Sequence, residues 1–217
     1  MKFSIIIPAY NSQDYIANAL ISVKQQKFTD YELIVVCDSC TDFTKAIAEQ
    51  YADKVIEVNY HNDGLSRQAG MDAAEGDWLL FMDDDDKWMH PYVLEFLNIH
   101  CVDDFDVVAF GFIFGRRGVV GPMMTVDSLW PNVWSKAWRA EYAKRFRFEN
   151  VPMESDFRFC AAAIPGAHIS LLDAPLYIYN YMRKGSQTEL KARRTSDERE
   201  DISRQSAMAP GSDHKAE

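Results

Sequence analysis

The stretch "WLLFMDDDDKW" (78–88) runs an apolar segment into four consecutive carboxylates, Asp83 to Asp86. Like charges this close repel, and such a cluster usually persists because a cation or a proton occupies it. The competing reading is a solvated acidic turn. Carboxylates spaced D-x-D after a strand can set one oxygen on a divalent cation and another, through water or directly, on a sugar hydroxyl. Hard oxygen donors suit Mg2+ or Mn2+, which complete their shells with phosphate oxygens of a nucleotide. A metal held there stabilises negative charge developing on a leaving diphosphate. Asp38 is an acceptor suited to a base N–H or a ribose hydroxyl, and Arg67 is one of few cations able to meet a diphosphate. Glu154 and Asp156 form a close carboxylate pair flanked by apolar residues; one of them can serve as a general base, or both can belong to a helix start.

These residues need a scaffold that gathers them. Buried strands are expected at 3–7, 31–36, 54–58 and 77–82, separated by helical patterns. The first helix carries Ile16, Leu20 and Val23, the second Phe43, Ile47 and Tyr51. The third has Ala69, Gly70, Ala73 and Ala74, small enough to lie close on a sheet. Strands alternating with helices make βαβ units and a parallel sheet, whose carboxyl-terminal edge is where ligands bind. That edge would gather "PAYN" (8–11), "CDSCTD" (37–42), "NYHND" (59–63) and the aspartate run. Further on, a helix is expected over 92–99 and a strand over 106–115, with a turn at 116–118. Trp130, Trp134, Trp138 and Tyr142, four apart, read as one face of a helix with Lys136, Arg139, Lys144, Arg145 and Arg147 around it. Such a stripe is usually core, although a basic aromatic helix can also rest on an anionic membrane surface.

With 217 residues, 47% of them hydrophobic, the chain can bury one substantial core. A net charge of -10 argues against nucleic acid as partner. The apolar run before Pro8 is too short for a signal peptide and no window reaches a membrane span, so a cytoplasmic location is expected. The Cys37-x-x-Cys40 pair lacks the second close pair that a zinc site needs.

The ordered set "SIIIPAYN", "ELIVVCDSCTD", "GLSRQAGMDAAEGDWLLFMDDDD" and "VWSKAWRAEY…MESDFRF" closely resembles the family 2 glycosyltransferases of the GT-A fold over residues 1–181. The resemblance implies an α/β architecture: a Rossmann-like, mostly parallel sheet with flanking helices and a short C-terminal acceptor-side region. Residues 1–100 would form the nucleotide-sugar half and 101–186 the acceptor half of one domain; by its mix of charges with Ser, Ala and Gly, 187–217 is expected to be a disordered tail or a solvated helix. It implies an inverting hexosyl transfer from a nucleoside diphosphate sugar, UDP-linked in the first instance, with Mn2+ or Mg2+ as cofactor. The acceptor would be a hydroxyl of a polysaccharide, glycolipid or protein.

Carried onto this chain, the resemblance places Pro8, Ala9 and Tyr10 on the donor side, the last two bordering the base, with Asp38 on the nucleoside and Arg67 near the diphosphate. Asp85 would be the direct metal ligand and Asp83 would meet ribose, sugar or metal, while Asp86 would face the transferred sugar or the metal's water shell. Asp156 would be the base, with Glu154 its neighbour or substitute. Trp134 and Lys136 would stand on the acceptor side, and Arg183 or Ser186 would cover the diphosphate. The chain departs from the family pattern at Cys37, Ser39-Cys40, Arg67-Gln68 and Ser155, which splits the acidic doublet. Among rivals, an aspartyl-phosphate phosphatase needs Thr or Val where Lys87 stands, and a nucleotidyltransferase needs a glycine-rich basic loop that "PAYNSQDY" is not. A nucleotide-sugar-binding protein without turnover is the remaining alternative.

Overall fold

Strand β1 (Phe3–Ala9) is buried almost throughout, as a strand covered on both faces must be. The computed structural model describes residues 3–115, 119–120, 132–151 and 154–180. Around β1 lie β2 (Tyr31–Asp38), β3 (Lys54–Val58) and β4 (Trp78–Phe81), all parallel, in the order β3-β2-β1-β4. The sheet continues through β8 (Lys136–Arg139), β6 (Val107–Phe114), β9 (Ile169–Tyr179) and β5 (Lys87–Trp88), with β7 (Val119–Val120) paired to β6. Strands β6 and β9 run with the first four; β5, β7 and β8 run against them.

Alternate residues feed two apolar layers. Ile5, Ile7, Leu33, Val35 and Leu80 face one side, with α1 (Ile16–Lys24), α2 (Thr44–Ala48) and α4 (Val93–His100). Ile6, Ile34, Val36, Leu79 and Phe81 face the other, with α3 (Asp63–Ala73), α5 (Ala140–Ala143) and α6 (Ser155–Ala163). The close approach expected of α3 occurs at Gly70, where a Cβ would run into Ile6 Cγ2. In α2 the expected face is rotated: Thr44 and Ala48 are buried while Phe43 is exposed, because the helix starts only after Phe43.

The long aromatic helix is not formed. Lys136–Arg139 is instead a strand between β4 and β6, antiparallel to both. Trp134 packs into the first layer and Trp138 into the second. A strand would put residues four apart on one face; the two rings part because Trp134 lies before β8 and only Trp138 is in it, where pairing with two apolar neighbours makes the strand. Trp130, the 116–118 turn and the 187–217 tail lie outside the described residues. One compact unit extends to Tyr179, and β8 joins residues from the second half of the chain to the sheet of the first.

Candidate active site

The carboxyl ends of β1 to β4 open onto one rim, and the loops beyond them are laced together. Asn11 Oδ1 accepts from Thr41 N (2.8 Å), Ser12 N donates to Thr44 Oγ1 (2.7 Å), and Tyr10 N donates to Asp84 Oδ2 (3.3 Å). Asn11, Ser39 and His61, one in each loop after β1, β2 and β3, have positive φ values of 45°, 55° and 48°. Non-glycine residues accept this conformation at a cost of about 1–3 kcal/mol where their surroundings impose it, and such residues cluster at functional sites.

What imposes it at His61 is Asp38. Its Oδ1 accepts from Tyr60 N (2.8 Å), His61 N (2.9 Å) and Ser39 Oγ (2.9 Å), and its Oδ2 from Asn62 N (2.9 Å) and Ser66 Oγ (2.9 Å). Burial opposes the charge, but the Asn62, His61 and Tyr60 N–H groups and the Ser39 hydroxyl outweigh it and hold the carboxyl below its ordinary pKa. Asp38, expected on the nucleoside, is engaged by the chain's own donors and shapes the rim from beneath. Pro8, Ala9 and the exposed Tyr10 ring do lie on that rim, Tyr10 edge-on to His61 with ring centroids 6.3 Å apart.

The aspartate run divides by burial. Asp83 and Asp85 are partly exposed, while Asp84 and Asp86 are buried. Asp84 holds the β1 loop through Tyr10 N. Asp86, expected to face the sugar or a metal's water shell, instead accepts from Tyr177 Oη (2.7 Å) at 1% exposure, and Tyr177 Oη in turn accepts from Asp83 N (3.0 Å). The reason is β9, which carries the fully buried Tyr177 under the loop.

Arg67 is likewise not turned toward a ligand. It is 5% exposed, and its guanidinium meets Asp63 Oδ2 (2.6 Å), Asp83 Oδ1 (2.8 Å) and Asp156 Oδ1 (3.1 Å). Burial works against this charge, and Asp156, Asp83 and Asp63 together more than offset it, raising the guanidinium further. Arg67, expected near the diphosphate, forms a hub that ties the acidic loop to α6. Sequence reasoning missed Asp63, although its place four residues before Arg67 on one helix is a recognisable pairing.

At α6 the two base candidates separate. Glu154 is exposed with φ 70°, whereas Asp156 points inward with Oδ2 accepting from Val133 N (3.3 Å). Its Oδ1 is buried without a hydrogen-bond donor. Burial pushes the Asp156 carboxyl up to about 6; Arg67 and Val133 N–H oppose that rise while Asp83 and Asp63 add to it. The same Oδ1 stands 3.1 Å from Arg67 Nη1, so the carboxylate is held inward in an ion pair at the junction of α3 and α6.

The model of glycosyl transferase family 2 matches residues 4–161. The chain belongs to this family. Poly(ribitol-phosphate) beta-N-acetylglucosaminyltransferase TarS of Staphylococcus aureus is 42% identical over 94 residues, 40% of this chain and 16% of TarS. The putative teichuronic acid biosynthesis glycosyltransferase TuaG of Bacillus subtilis is 40% identical over 91 residues, covering 39% and 36% of the two chains. This chain therefore matches well under half the length of these curated relatives. The structure of S. aureus TarS 1-349 with UDP-GlcNAc superposes with a TM-score of 0.78 at 28% identity, over 87% of this chain and 61% of that one.

Two further positions differ from expectation in this family 2 glycosyltransferase. Trp134 is 4% exposed and stacks on Tyr177 (4.7 Å) and Tyr179 (5.0 Å), so its ring is core rather than an acceptor surface. Lys136 is fully buried with Nζ donating to Asn132 O (2.6 Å); burial lowers its pKa, with Cys160 and Asp156 opposing. Arg183 and Ser186 lie outside the described residues. Among the described residues no group of three or more His, Cys, Asp or Glu is arranged to hold a metal ion. Asp83 and Asp85, partly exposed at the rim and two residues apart, fit Mg2+ or Mn2+, because these ions bind through one or two carboxylates and take phosphate oxygens for the rest. A cavity of about 300 Å3 lies between α1 and residues 87–91; its lining contains no carboxylate. Among the described residues no helix is long and apolar enough to cross a membrane.

Proposed function

We propose that this family 2 glycosyltransferase moves a sugar from a nucleoside diphosphate donor, UDP-linked, to a hydroxyl of a cell-surface polysaccharide or glycolipid, with inversion. The observation that carries the reading is Asp156 Oδ1, buried without a donor and joined through Arg67 to Asp83 at the donor rim. TarS and TuaG, named for sugar transfer to poly(ribitol-phosphate) and for teichuronic acid synthesis, support the acceptor class, and the UDP-GlcNAc complex of TarS supports the donor.

In this reading Asp85 is the carboxylate that would hold Mn2+ or Mg2+, with Asp83 beside it, and the ion supplies charge stabilisation for the departing diphosphate. Pro8 to Tyr10 border the base. Asp156 accepts the acceptor's hydroxyl proton as that oxygen bonds to the anomeric carbon and the bond to the diphosphate breaks, so a single displacement inverts the centre.

A thermal-shift panel of UDP, GDP, CDP and TDP with and without Mn2+ tests the donor side. UDP with Mn2+ should raise the melting temperature; if no nucleoside diphosphate does so, the reading fails at its first step. On the acceptor side, Asp156→Asn should lower sugar transfer by about 100- to 10,000-fold while donor binding survives.

A further inference from the structure

Two carboxylates compete unequally for one nitrogen of Arg67. Nη1 makes a hydrogen bond of 2.6 Å with Asp63 Oδ2, but stands 3.1 Å from Asp156 Oδ1 in an alignment that gives that oxygen no hydrogen bond. Guanidinium and carboxylate left to themselves tend to close a two-pronged pair. Here Nη2 is engaged by Asp83 (2.8 Å), and Asp63 is itself anchored by Ser155 Oγ (3.0 Å). Ser155 is 1% exposed and is the residue that splits the acidic doublet. Its approach depends on Gly64, where a Cβ would come within 2.8 Å of Ser155 Cβ and 2.9 Å of Glu149 O. Asn62 fastens the same junction, donating from Nδ2 to Val151 O (2.7 Å) while its Oδ1 accepts from Leu65 N (2.9 Å).

We propose that Asp63, braced by Ser155, is a positioning residue that restrains Arg67 from closing a two-pronged, hydrogen-bonded pair with Asp156, leaving the buried Asp156 Oδ1 without a donor and so able to take a proton. This rests on Asp156 being the base. Among the described residues, the charged and titratable groups around that carboxyl are Arg67 and Asp63 from α3, Asp83 from the loop after β4, Lys136 from β8 and Cys160 on α6 itself. Of these, only Arg67 and Lys136 carry positive charge, and only Arg67 is within ion-pair distance. Releasing Nη1 from Asp63 therefore has one outcome: it moves onto Asp156.

The test is a carboxyl titration of the full chain labelled with 13C at aspartate carboxyls, read by NMR, with the Asp156 signal assigned by its loss in Asp156→Asn. In Asp63→Asn the Asp156 midpoint should fall by about one to three pH units relative to the unsubstituted chain. The acid limb of kcat/KM should follow it downward. Asp63→Glu, which keeps a competing carboxylate, should titrate with the unsubstituted chain. A midpoint that stays or rises in Asp63→Asn overturns the restraint, and so does an equal fall produced by Asp63→Asn in an Arg67→Gln background, since the lost Asp63 charge alone lowers the Asp156 carboxyl without any movement of Arg67. Should Asp63→Asn not fold, Asp63→Ser, compatible with a helix first turn, carries the same expectation. If Asp156→Asn transfers sugar like the unsubstituted chain, the base reading falls whatever the titration shows. If it is inactive and Asp63→Asn titrates normally, only the restraint falls.

Discussion

Replacing Asp38 by Asn preserves side-chain size and removes a charge that organises the whole rim. In the orientation that keeps an oxygen toward Tyr60 N, His61 N and Ser39 Oγ, the new amide points at Asn62 N, leaving two donors face to face. Ser66 Oγ can rotate to accept from the amide, so one buried N–H is orphaned, at about 1–3 kcal/mol, and the surviving bonds lose their charge assistance. The total is about 3–5 kcal/mol, which for a domain of this size lowers the melting temperature by roughly 6–20 °C. The folded-state pKa of Asp38 lies below its unfolded value. Its stabilisation is therefore complete above the unfolded value, near 3.9, and is lost as pH falls through the folded one. Differential scanning calorimetry from pH 7 down to pH 3 should show the gap between Asp38→Asn and the unsubstituted chain narrowing only at the acid end. A variant that melts within about 2 °C of the unsubstituted chain at pH 7 would refute the account of Asp38 as the tie of the 60–62 loop.

Four other perturbations discriminate further. Tyr177→Phe leaves the Asp83 N–H and the Asp86 carboxylate without their shared hydroxyl; urea unfolding should show a loss of about 1–3 kcal/mol, and Mn2+-dependent UDP binding should weaken. Gly70→Val should cost about 1–3 kcal/mol by overpacking against Ile6, read by thermal melts, with the transfer pH profile unmoved. Because the folded pKa of Asp156 is raised, to about 6, its ionisation costs stability as pH rises through that value; Asp156→Asn should thus gain melting temperature at pH 8 relative to pH 5 while losing transfer. Lys136 has a lowered folded pKa, so stability should rise with pH between that value and the ordinary lysine value near 10.4. Lys136→Met should abolish that rise in calorimetric scans.

The parallel half of the sheet was legible because each of its strands is an uninterrupted apolar run followed by a helical pattern, and the rim follows from their shared direction. The close seat of α3 was written in its small residues, and Asp156 stood out as an acid among apolar neighbours. Strand β8 was not legible: tryptophans four apart read as a helical face, and the strand depends on β4 and β6, nearly 60 and 30 positions upstream. Asp38, Asp86 and Arg67 read from the sequence as outward-facing site residues. Nothing local to them reveals that the 60–62 amides, Tyr177 and Asp63 arrive to occupy their polar atoms first.

Strand β8 also sets the order in which the molecule can mature. Until residues 136–139 have been synthesised, β4 has β1 on one flank and an open edge on the other, an exposed ladder along Trp78, Leu79 and Leu80 that invites pairing with another chain. The strand that seals it arrives just before the helix carrying Asp156. A nascent chain thus keeps this open edge until shortly before Asp156 meets Arg67, and premature termination in this interval should yield insoluble protein rather than a soluble nucleotide-binding fragment.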